Sequence, residues 1–109
     1  MAECLAAYDA GTSPSRAVEK AAVKHALAAL VARAPGRSVE VRVPPYAVVQ
    51  AVPGSTHRRG TPPAVVETDA ATWLALATGR AGWADAVADG RVRASGERSD
   101  LSPYLPLLL

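Results

Sequence analysis

Residues 38–43 read Ser-Val-Glu-Val-Arg-Val, and Pro44 and Pro45 follow directly. Successive side chains of a strand point to opposite faces. The alternation therefore puts Val39, Val41 and Val43 on one face and Glu40 and Arg42 on the other. A strand that is apolar on one side only belongs to a sheet covered on one side only, and this constrains the fold more than any other feature. The prolines add a second constraint. A tight primed hairpin needs positive φ at its turn residues, which proline cannot adopt. The expectation is a bend or an edge irregularity after Val43, with the chain continuing extended into YAVVQAV. That segment is apolar on both faces, as a covered strand would be.

The rest of the chain supplies the cover. SPSRAVEKAAVKHALAALVARAPG reads as a helix over residues 13–35, with Ser13 as cap, Pro14 at the first position and Gly36 as its stop. Val23, Leu27, Leu30 and Val31 share one face, while His25 lies on a polar flank and reads as a surface histidine. PAVVETD is a strand. DAATWLALATG is a short helix capped by Asp69 and stopped by Gly79, and GWADAVADG a second one ending at Gly90. RVRAS is a strand turned by Gly96, and the apolar tail LSPYLPLLL closes the chain. The order α, β, β, β, α, α, β, α predicts an α+β fold: a mostly antiparallel sheet of four to five strands with helices packed on one face.

At 109 residues the chain reads as a single domain over 1–109. One cysteine, Cys4, excludes an internal disulfide framework and points to a reducing compartment, hence a cytoplasmic protein. MAECLAAYD lacks the basic start of a signal peptide, and no apolar run approaches the roughly 18 residues of a membrane span. No stable membrane insertion is expected. The net charge of +2 is small, and five aromatic residues do not interleave with a basic stripe, so nucleic acid is not an expected partner. The alanine- and arginine-rich composition is that of a GC-rich bacterial genome.

Searching for chemistry returns little. No HxxxH, HExxH or CxxC spacing offers a metal site, and no GxSxG, GxxxxGK[ST] or GxGxxG motif is present. Asp85 and Asp89 are four apart but read as the solvated side of a short helix. Cys4, the one thiol a thiol-dependent enzyme would use, falls in an amino terminus expected to fray. No catalytic residue, metal or cofactor is assigned. THRRGTPP admits two readings: a solvated loop tip, or an anionic head-group contact through His57, Arg58 and Arg59, since arginine offers a planar fork of donors.

Within VVETDAATWLALATGRAGWADAVADGRVRASG, Gly79, Ala86, Gly90 and Gly96 fall in step with the strand–helix–helix–strand order. This pattern resembles the sterol carrier protein 2 family, and more narrowly its compact actinobacterial branch, over about residues 38–109. The resemblance implies a sheet and helices enclosing an apolar tunnel for a fatty acid, acyl-CoA or sterol-like ligand. The chain offers four strand candidates where that family typically has five, and Pro103 and Pro106 interrupt its final helix. On this basis Trp73, Leu76, Trp83, Val87, Val92, Leu101, Tyr104, Leu105 and Leu108 are the candidate pocket wall.

A ligand pocket usually exceeds about 300 Å³. Left empty, such an apolar cavity costs about 7 kcal/mol at 24 cal/mol per Å³, which rivals the roughly 5–15 kcal/mol of a small domain. A short chain therefore either carries a lipid or collapses its pocket into core. The leading expectation is a non-enzymatic lipid carrier. The alternative is an interaction or dimerisation module with a filled core, whose apolar tail forms a homodimer patch.

Overall fold

The structure, a computed structural model, describes residues 1–54, 64–96 and 99–107. In chain order it contains α1 (Ala2–Asp9), α2 (Arg16–Arg33), β1 (Val39–Val43), β2 (Ala47–Ala51), β3 (Ala64–Thr68), α3 (Ala70–Ala77), α4 (Trp83–Ala88) and β4 (Val92–Ser95), then a short 3-10 turn over Ser102–Tyr104. Among the described residues the strands form one sheet in the order β2-β1-β3-β4. β1 pairs antiparallel with β2 and parallel with β3, and β3 pairs antiparallel with β4. The fold is α+β with a mostly antiparallel sheet.

The β1 alternation appears as read. Val39, Val41 and Val43 are fully buried, and on the other face Arg42 and Glu40 bond to each other at 2.6 Å. The register carries this division across the sheet. Val41 stands beside Val49 and Val66 on the helix side, while Arg42 stands beside Val48 and Glu67 on the outer side. Val66 and Thr68 of β3 are buried with the β1 valines.

Three expectations need correction. After Pro44-Pro45 the chain folds back as the antiparallel partner of β1, through a three-residue connection in which the Tyr46 N–H donates to the Val43 carbonyl at 3.0 Å. A connection longer than two residues removes the need for a primed turn. β2 is not a covered strand: it lies at the sheet edge, and Val48 is 56% exposed. Being apolar on both faces did not mean being covered on both. The amino terminus does not fray but forms α1, whose Cys4 is fully buried.

α2 starts two residues later than the sequence suggests. Ser15, extended at φ −62° and ψ 155°, accepts from the Val18 N–H at 3.2 Å and takes the cap role expected of Ser13. Val23, Leu27 and Leu30 are buried as their spacing requires, and Val31 is half-buried. The end of α2 is tied to the end of β2. The Val52 N–H donates to the Ala34 carbonyl at 2.6 Å, and the Ser38 N–H and hydroxyl donate to the Val52 carbonyl at 3.2 and 2.7 Å. These bonds hold Val52 at φ 73°, a costly conformation for a β-branched residue. A side chain at Gly36 would meet the Val52 carbonyl oxygen at 2.2 Å.

α3 is the central helix. Ala70, Thr72, Trp73, Leu74, Leu76 and Ala77 are all buried, more than one face, because α2 and the carboxy-terminal segment pack on it from different sides. Asp69 caps it by accepting from the Thr72 N–H at 3.1 Å. No helix of the described residues is long and apolar enough to cross a membrane.

Candidate functional site

The expected pocket wall comes together in part. Trp73 and Leu76 of α3, Val92 of β4 and Leu101 of the tail all lie in one buried cluster, with relative exposures of 3% or less. Trp83, Tyr104 and Leu105 are half-buried and pack against that cluster. Val87 stands apart at 39% exposure, since α4 turns it outward while its neighbour Ala86 faces in at 0%. Leu108 lies outside the described residues, as do His57, Arg58 and Arg59.

The tail closes over α3 and not over open space. Leu107 is buried, and its N–H donates to the carbonyl of Ala77, the last residue of α3, at 2.8 Å. One turn earlier on the same helix face, the indole N–H of Trp73 is fully buried without a hydrogen-bond partner. An orphaned buried donor of this kind costs about 1–3 kcal/mol. It is the feature of the core that packing alone does not explain.

Grooves open elsewhere. One of about 390 Å³ lies between α2 and β2, where Lys24, Leu27 and Ala28 face Ala47 and Val49. Another of about 320 Å³ lies on the outer side of the same strand, between Pro44, Pro45 and Val48 on one flank and Arg42 and Glu67 on the other. A third of about 260 Å³ separates α1 from α3, with Leu5 and Tyr8 facing Ala71 and Ala75. None of these three is lined by the expected wall residues.

A polar cluster unreadable from sequence joins three elements. The carboxylate of Glu19 on α2 accepts from the Tyr8 hydroxyl of α1 on one oxygen and from the Tyr46 hydroxyl, at 2.6 Å, on the other. Burial, and then the hydrogen bond to Glu19, push the Tyr8 phenol well above its ordinary range. The bond to Glu19 raises Tyr46 as well, with burial second. Both phenols thus stay protonated donors and the arrangement acts as a clamp. Cys4 lies beside Tyr8, inside the core. Among the described residues no group of three His, Cys, Asp or Glu side chains converges as a metal site would require.

No curated protein matches this chain. A family model described as bacterial SCP ortholog matches residues 15–107, which takes in everything from the cap of α2 to the leucine that closes on α3. The sheet with its helix layer, the central α3 and the closing tail all fall within that match, and the chain belongs to this bacterial family of sterol carrier protein-like domains.

Proposed function

We propose that the chain is a non-enzymatic lipid-binding domain that takes an apolar ligand carrying an acceptor oxygen, such as an acyl chain or a sterol-like alcohol, between its sheet and helices. The observation that carries this reading is the Trp73 indole N–H, buried and unpartnered in the cluster that also holds Leu76, Val92 and Leu101. A ligand oxygen accepting from it would relieve the cost of the orphaned donor. Leu76, Val92 and Leu101 would line the apolar part, with Trp83, Tyr104 and Leu105 at its rim. Because these side chains are packed together, binding requires the Leu101–Leu107 segment to move off α3. His57, Arg58 and Arg59 remain the proposed contact for an acidic head group. The single free cysteine fits a cytoplasmic setting.

Titration of delipidated protein with fluorescent fatty acid, acyl-CoA and sterol tests the reading. Saturable binding of at least one at micromolar concentration is expected, with a shift in tryptophan emission as Trp73 gains its acceptor. Absence of binding by all three overturns it and leaves the second reading, a module with a filled core. The burial of Leu101 at 0% and Leu107 at 5% is the observation that favours that alternative.

A further inference from the structure

Among the described residues Trp73 is the largest fully buried side chain, and its indole nitrogen is the one buried side-chain donor or acceptor without a hydrogen-bond partner. That nitrogen can donate but cannot accept. It asks for one acceptor and offers nothing to a second donor. The polar side chains buried with the core are three hydroxyls, those of Ser38, Thr68 and Thr72. Two of them donate within the chain, Ser38 to the Val52 carbonyl at 2.7 Å and Thr68 to the Arg91 carbonyl at 2.9 Å. Among the described residues no Asp, Glu, Lys, Arg or His is buried. The arginines nearest the cluster in sequence are exposed. Arg80, beyond the end of α3, pairs with Asp9 at 2.6 Å, and Arg91, before β4, pairs with Asp89 at 3.0 Å.

We propose that Trp73 makes this site selective for lipids whose inner oxygen is a neutral carbonyl, as in a fatty ester or a long-chain ketone, against an ionised carboxylate at the same place. The inference rests on the reading that the cluster around Trp73 opens for a ligand. A carbonyl oxygen accepts and brings no donor of its own, so pairing it with the indole N–H leaves no donor unmade. A buried alcohol also accepts, but its O–H then needs a further acceptor. A carboxylate accepts as well, yet its charge is stripped of water on entering, and one neutral donor does not replace that hydration. Buried charges persist where an opposite charge meets them, and the cluster holds none. An ionised head group therefore stays at the surface, with only its alkyl chain reaching the interior. Leu76, Val92 and Leu101 take the alkyl chain in every case. Trp73 separates the ligands by the oxygen alone.

NMR of the delipidated full chain, titrated with methyl decanoate, decanol and decanoate at about pH 8, where the carboxylate is ionised, reads the oxygen directly. The chain has two tryptophans, so Trp83→Phe assigns the indole N–H resonances. Methyl decanoate is expected to bind and to move the Trp73 resonance downfield. Decanol should bind several-fold more weakly, and decanoate about tenfold or more weakly, without moving that resonance. Trp73→Phe keeps an aromatic ring but removes the donor. It should weaken the ester about tenfold and leave decanoate little changed. Should that variant fail to fold, the three ligands on the unaltered chain decide alone. Ester binding that leaves the Trp73 resonance in place overturns the proposal, because the preference would then be one of apolarity only. So does decanol or decanoate binding as tightly as the ester, and each of these results leaves the carrier reading standing. If none of the three binds, the carrier reading falls and this inference falls with it.

Discussion

The backbone N–H of Leu107 donates to the carbonyl of Ala77 at 2.8 Å, so the tail satisfies one of the carbonyls that the end of α3 leaves without an intrahelical partner. The same contact brings Leu107 into the core six residues after Leu101, which is fully buried. Chain closure and completion of the core are therefore one event, and the segment from Leu101 to Leu107 is both structural wall and proposed gate.

Truncating its two leucines should separate these roles. Leu101→Ala is expected to destabilise by about 2–5 kcal/mol, the range for a fully buried leucine. Leu107→Ala is expected to cost less, about 1–3 kcal/mol, because Leu107 keeps 5% exposure and the neighbouring chain can follow the smaller side chain inward. Urea unfolding midpoints at constant m report both values.

Gly36→Ala should be disproportionately damaging for one methyl group. Its new carbon would stand 2.2 Å from the Val52 carbonyl oxygen, the acceptor for both the N–H and the hydroxyl of Ser38. Backbone must shift to accommodate it, at about 1–3 kcal/mol or more. Gly90→Ala, with no heavy atom within 4 Å, is the comparison and should cost less despite its positive φ. Thermal denaturation of the two variants ranks them.

The Tyr8–Glu19–Tyr46 clamp predicts an alkaline limit. Both phenols have folded pKa values raised above the unfolded value of about 10. Their contribution is fully present below pH 10 and is lost as pH rises from there through the folded values, because the unfolded chain releases its phenolic protons first. Stability measured by denaturant should therefore fall above about pH 10, and Tyr8→Phe should flatten that fall while lowering stability at pH 7.

Asp69→Ala removes the acceptor for the Thr72 N–H at the start of α3 and is expected to cost about 1 kcal/mol. Asp69→Asn, which keeps an acceptor, should restore most of it. Chemical denaturation of the pair tests the assignment.

Much of the fold was legible wherever one periodicity ruled a segment. The β1 alternation, the Val23–Leu27–Leu30 spacing of α2, the Asp69 cap of α3, and the glycine stops of α3 and α4 all appear in the structure. β2 was misread because a run that is apolar on both faces has the same sequence whether it lies at the centre of a sheet or at its edge. Only pairing distinguishes the two, and pairing is not local. α1 was missed because AECLAAYD has no side-chain cap, and its packing rests on a helix that begins seven residues later. The site divides in the same way. Trp73, Leu76, Val92 and Leu101 were named as a wall from the family resemblance, and the structure buries all four in one cluster. The Glu19 clamp was not, because its partners lie 11 and 27 residues away. The unpartnered state of the Trp73 indole is a property of the assembled core and leaves no mark in the sequence.

The central claim is that this domain carries a lipid, and native mass spectrometry of protein purified from its own host tests it most directly. The account predicts a population heavier than the 11.2 kDa chain by the mass of one apolar molecule, released on organic extraction and restored on adding it back. A spectrum showing only the bare chain, from protein that also refuses every added lipid, would contradict it.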